Sequence, residues 1–81
     1  MSMVSVIFRV YPEENRFDSV VSALKGIEAR DVKAEDIGFG IKVIKVMFVF
    51  DDTKTNSSSI EEAVKKVDGV SEVEVEEESL V

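Results

Sequence analysis

Cysteine and histidine are both missing from this chain, proline occurs once, and no apolar run is longer than the five residues Val46 to Phe50. Without cysteine, a disulfide scaffold, a thiolate zinc site, thiol catalysis and a redox switch are excluded. Without histidine, the commonest general base and metal ligand is gone. Without a long apolar run there is no transmembrane span and no signal-peptide core, and the opening Met1-Ser2-Met3-Val4 carries no basic leader, so the expected location is the cytoplasm. Basic residues are scarce as well: ten Lys and Arg against seventeen Asp and Glu leave a formal charge of -7. That charge repels phosphate backbones and anionic headgroups, so neither nucleic acid nor a membrane surface is expected as a direct partner.

What is present suffices for one core. At 81 residues, 44% hydrophobic and 33% charged, the chain is too apolar for the disordered class and too short for a second core, and a single domain spanning 1–81 is expected.

Val4, Val6, Phe8 and Val10 alternate with Ser5, Ile7, Arg9 and Tyr11, the period of a strand with one apolar face, and Pro12 ends it. Phe17, Val20, Val21, Leu24 and Ile27 then recur at helical spacing. Ala29 to Asp36 alternates loosely and reads as a strand with Val32, Ala34 and Ile37 inward. Gly38-Phe39-Gly40 breaks it with a loop or bulge. From Ile41 to Phe50 the chain is strongly β-prone, with Ile44, Val46, Phe48 and Phe50 on its wholly apolar face. After a polar loop, Ser59 and Glu62 fit a capping box ahead of the helical stripe Ile60, Ala63, Val64 and Val67. Gly69 ends that helix, and Val70 to Glu77 alternates, with Val73 and Val75 inward and Glu72, Glu74 and Glu76 outward.

The order βαββαβ predicts an α+β, ferredoxin-like sandwich: a four-stranded antiparallel sheet with both helices on one face. The open face would carry Ile7, Val43, Met47 and Val49 beside Arg9 and Lys45, a candidate contact surface. Residues 61 to 81 hold eight acids and two bases, so the second helix and last strand form an acidic side.

Catalysis would have to be built from carboxylates, lysines, arginines, hydroxyls and one tyrosine. Adjacent acids on a strand point to opposite faces, so Asp51-Asp52 and Glu76-Glu77-Glu78 form no shared metal cage and read as solvated surface. Gly38-Phe39-Gly40 lacks the lysine-serine pair of a phosphate loop and the dinucleotide fingerprint. Ser57-Ser58-Ser59 has no base beside it and reads as a helix cap. No catalytic, metal or cofactor site is expected. Phe39 has two readings, a residue folded back onto the core or an exposed finger of the kind that anchors interfaces.

The hexapeptide Ile37-Gly38-Phe39-Gly40-Ile41-Lys42, the run Val43 to Phe50 and the pair Asp51-Asp52 resemble the exchange domain of the translation elongation factor 1-beta family. The resemblance covers essentially the whole chain, and the hexapeptide is its most specific part. It implies a guanine-nucleotide exchange factor, of the archaeal short form, that promotes GDP release and GTP reloading on the GTPase elongation factor 1-alpha during protein synthesis. It implies no covalent chemistry, no cofactor and a monomer when free. In that family the aromatic tip between the glycines contacts the GTPase. The resemblance carries that role to Phe39, with Ile37, Gly38, Gly40, Ile41 and Lys42 as neighbours, and so favours the finger. Eukaryotic members place a lysine next to the C-terminal residue, near the magnesium and phosphate site of the GTPase; here that position is Leu80, and Lys42 and Lys45, nearest the hexapeptide in chain position, are the basic candidates to replace it. The alternative is a small-molecule-sensing or dimerisation module of the same fold, which has no reason to carry the hexapeptide.

Overall fold

A computed structural model describes residues 2–81, in the order β1 (Met3–Pro12), α1 (Phe17–Gly26), β2 (Asp31–Asp36), β3 (Lys42–Asp51), α2 (Ser57–Lys65) and β4 (Val70–Leu80). The strands form one sheet in the order β2-β3-β1-β4, antiparallel at every pairing. This is the expected ferredoxin-like arrangement.

Period-two alternation explains the core. Val4, Val6, Phe8 and Val10 of β1 pair with Phe50, Phe48, Val46 and Ile44 of β3, and all eight are buried. Val20 and Leu24 of α1 and Val64 of α2 pack into the same cluster, which puts both helices on this face. Phe8 meets Phe48 edge to face at 6.0 Å, worth about 0.5–1.5 kcal/mol beyond the area buried.

Several local expectations are corrected. Helix α2 begins at Ser57, because Asn56 is the extended N-cap and its Oδ1 accepts the Ser59 N–H at 2.8 Å; Ser59 and Glu62 are therefore not the capping pair. Ile27 lies just past α1 and is partly exposed. In β2, an edge strand, Val32 is only half-buried and Ala34 is exposed, while Ile37 lies outside the strand and is exposed. In β4, a register shift pairs Ile7 with Glu77 but Phe8 with Val75, so Glu76 is the extra residue of a β-bulge. Val73 is buried as expected, whereas Val75 is 48% exposed.

The bulge gives the open face its character. Arg9 Nη2 lies 3.7 Å from Glu35 and 3.3 Å from Glu76, and Lys45 Nζ lies 3.6 Å from Glu35 and 3.3 Å from Glu76. One charge from each strand thus joins a neutral cluster across the sheet. The Tyr11 hydroxyl first, then Glu76 and Glu35, hold the Arg9 guanidinium above its ordinary range against desolvation. Val43, expected on an exposed apolar surface, is fully buried, and Ile7, Met47 and Val49 are half-buried.

Gly69 joins α2 to β4 at φ +96, and its carbonyl accepts the Glu13 N–H at 2.7 Å. A Cβ there would stand 3.0 Å from Arg16 Cβ and from Val20 Cγ2. Gly69→Ala is therefore expected to cost about 1–3 kcal/mol, through strain and overpacking together. Thermal unfolding should show Tm lower by roughly 5–20 °C. Gly26→Ala, with nothing within 4 Å of its Cβ, should instead leave Tm unchanged or raise it.

Candidate functional site

Five residues, Ile37 to Ile41, connect the edge strand β2 to the central strand β3, and hydrogen bonds among them and to Asp36 hold them as a projection. Asp36 Oδ1 accepts the Gly38 N–H at 2.8 Å, the Ile41 N–H donates to the Gly38 carbonyl at 3.0 Å, and the Ile37 N–H donates to the Ile41 carbonyl at 3.0 Å. Gly38, Phe39 and Gly40 all have positive φ, at 98, 57 and 75 degrees. Positive φ at both central residues of the 38–41 turn is the mark of a type I′ hairpin, whose twist matches the flanking strands. Glycine meets that demand without strain at positions 38 and 40, but phenylalanine does not at position 39, where left-handed backbone costs roughly 1–2 kcal/mol.

Among the described residues no side-chain packing offsets that strain, because the Phe39 side chain is fully exposed and lies outside the core cluster. Phe39 is therefore exposed at the tip and does not fold back onto the core. Ile37 and Ile41 flank it at 45% and 52% exposure, so the tip presents three large apolar side chains to solvent. Lys42 is exposed and begins β3.

The base of the tip borders a cleft of about 390 Å³, walled by Gly40, Ile41 and Lys42 on one side and by Glu13, Glu14 and Phe17 on the other. Lys42 Nζ lies 5.7 Å from the centroid of the Phe17 ring, within cation–π range. Sequence reasoning did not find the second wall, because it joins the base of the tip only through folding. The signal that could have found it is the turn Pro12-Glu13-Glu14-Asn15, which sets two acids side by side just before a helix.

Leu80 stands at the other end of the sheet. It pairs with Val4, whereas Lys42 starts β3 beside the tip, separated by roughly 27 Å of strand at about 3.4 Å per residue. Lys45 is engaged by Glu35 and Glu76. Neither lysine stands at the Leu80 end, so chain position was a poor guide to that site. The acid pair at the end of β3 does structural work. Asp51 Oδ1 accepts from the Thr53 N–H at 2.9 Å and hydroxyl at 2.7 Å, which hold its carboxyl below the usual range, and Asp52 Oδ1 accepts the Ser2 N–H at 3.2 Å.

Comparison with known proteins follows the same outline. Residues 5–81 match the family described as the EF-1 guanine nucleotide exchange domain. Elongation factor 1-beta of Methanosphaerula palustris is 35% identical, with 99% of each chain covered. The protein of the same name from Methanospirillum hungatei is 35% identical with both chains covered in full, and that from Aeropyrum pernix is 32% identical over 94% of this chain and 93% of its own. Among solved structures, the ACT domain from GTP pyrophosphokinase of Chlorobium tepidum superposes with a TM-score of 0.64 over 94% of this chain and 89% of that one. At 17% identity that likeness shows the fold alone.

Full exposure of Phe39 has a direct consequence for stability. Phe39→Ala removes no packing and keeps the same backbone demand, so unfolding free energy should change by less than about 0.5 kcal/mol. Phe8→Ala, emptying the centre of the core, should cost about 3–5 kcal/mol. Urea unfolding of the two variants side by side checks the contrast, and a large loss for Phe39→Ala would contradict the exposed geometry.

Proposed function

The chain belongs to the EF-1 guanine nucleotide exchange domain family, and from that premise we propose that it promotes GDP release and GTP reloading on elongation factor 1-alpha through a contact anchored by Phe39. Family membership over residues 5–81 is the observation that carries the proposal. The exposed apolar tip supports it, since an aromatic held outside the core at a cost in backbone strain suits an interface anchor. Ile37, Gly38, Gly40, Ile41 and Lys42 belong to the same contact.

Exchange makes and breaks no covalent bond. It needs only that partner binding and nucleotide binding oppose one another, and linkage then makes the effect mutual: GDP weakens the partner by the factor that the partner weakens GDP. A preorganised tip serves this well, because little ordering cost is subtracted from the binding energy that distorts the nucleotide site. Leu80 stands where the resemblance would place a lysine, so the proposal rests on the Phe39 contact and not on a lysine at that position. The negative charge of the chain suits a basic, tRNA-binding partner by speeding encounter. Such a factor acts in the cytoplasm and is a monomer when free.

Release of fluorescent GDP from the purified GTPase should accelerate on adding the chain and saturate. Phe39→Ala should weaken the contact by about 2–4 kcal/mol, which is roughly 30- to 1,000-fold in affinity. No acceleration by the wild-type chain at saturation would contradict the proposal.

A further inference from the structure

We propose that the cleft at the base of the tip seats a cationic side chain, best an arginine, presented by the GTPase. This rests on the exchange-factor reading above and extends the contact from Phe39 onto the turn between β1 and α1. Gly40, Ile41 and Lys42 belong both to the tip and to one wall, so the surface that Phe39 engages continues into the mouth of the cleft.

The chemistry of the walls selects the occupant. The Phe17 ring already takes a cation on its face, with Lys42 Nζ 5.7 Å from its centroid. Lys42 is exposed and has no ion pair among the described residues, so it can swing aside. On the opposite wall, Glu13 and Glu14 are exposed and likewise form no ion pair among the described residues. Arg16, the cation of that turn, is held by Asp68 at 2.6 Å. Two carboxylates against one ammonium, in a chain of charge -7, favour an incoming cation and oppose an anion. A guanidinium fits best because its plane stacks on an aromatic ring while its edge donates to a carboxylate.

The wall is built before the partner arrives. The Glu13 N–H donates to the Gly69 carbonyl at 2.7 Å and the Arg16 N–H to the Glu13 carbonyl at 3.0 Å, so the acids are carried on a fixed turn. Little ordering is left to subtract from binding.

Titration of the nucleotide-free GTPase with the labelled chain at several salt concentrations tests this. The double variant Glu13→Gln, Glu14→Gln should raise Kd about tenfold and make its salt dependence shallower, with Tm unchanged. Phe39→Ala should weaken binding with the wild-type salt dependence. A double variant that matches wild type in both quantities would overturn the cleft assignment and leave the exchange reading standing. Tighter binding by the double variant would also overturn it, and would assign the cleft to an anion held by Lys42. Absence of binding by the wild-type chain would overturn the exchange reading, and the cleft assignment with it.

Discussion

The antiparallel ladder between β1 and β3 sets Val4, Val6, Phe8 and Val10 against Phe50, Phe48, Val46 and Ile44, and the other elements depend on that register. A slip of one residue would turn the apolar face to solvent and the face bearing Arg9 and Lys45 into the core, a cost no domain of this size could bear. The same register fixes the site. It brings the end of β1, and hence the turn at Glu13 and Glu14, beside the start of β3, where the 37–41 projection leaves the sheet. Tip and cleft lie together because the two central strands run antiparallel and in phase.

The face away from the helices is covered by paired charges rather than by a second layer. Arg9, Glu35, Lys45 and Glu76 lie within 3.3–3.7 Å of their partners, and each brings a charge that would resist burial against a second sheet. At the β4 edge, Glu72, Glu74, Glu77 and Glu78 line a strand whose outer side has no neighbouring strand among the described residues. A row of like charges opposes pairing of that edge with a second copy of itself. The apolar surface left exposed is concentrated at the two ends of the sheet, at Ile37, Phe39 and Ile41 and at Leu80 and Val81.

Much of this was legible in the sequence, for identifiable reasons. Strict alternation in β1 and β3 and the stripe through Val20 and Leu24 are imposed by burial, so pattern and structure agree there. The pattern misled where burial was incomplete: Ala34 and Val75 sit on edge strands that the helices cover only in part. It also misled where one residue changed the phase. Alternation alone could not show that Glu76 would bulge out of register and meet Arg9 and Lys45. The choice between Asn56 and Ser59 as helix cap turned on backbone geometry, since both side chains carry a suitable oxygen. Of the candidate site, the glycines of the tip were readable from their conformational role, whereas the cleft was not, since residues 13–17 and 40–42 meet only in the folded chain.

A strained, exposed Phe39 on a fixed turn is consistent with a domain that spends folding energy to hold an anchor ready for another protein. The central claim is then thermodynamic: binding of this chain and of GDP to the GTPase must oppose each other by one shared factor. The most direct measurement is a closed cycle by calorimetry. It takes the affinity of the chain for the GTPase with and without GDP, and the affinity of GDP with and without the chain. The account predicts that both ratios are large and equal; a chain that binds the GDP-loaded and nucleotide-free GTPase with the same affinity would contradict it.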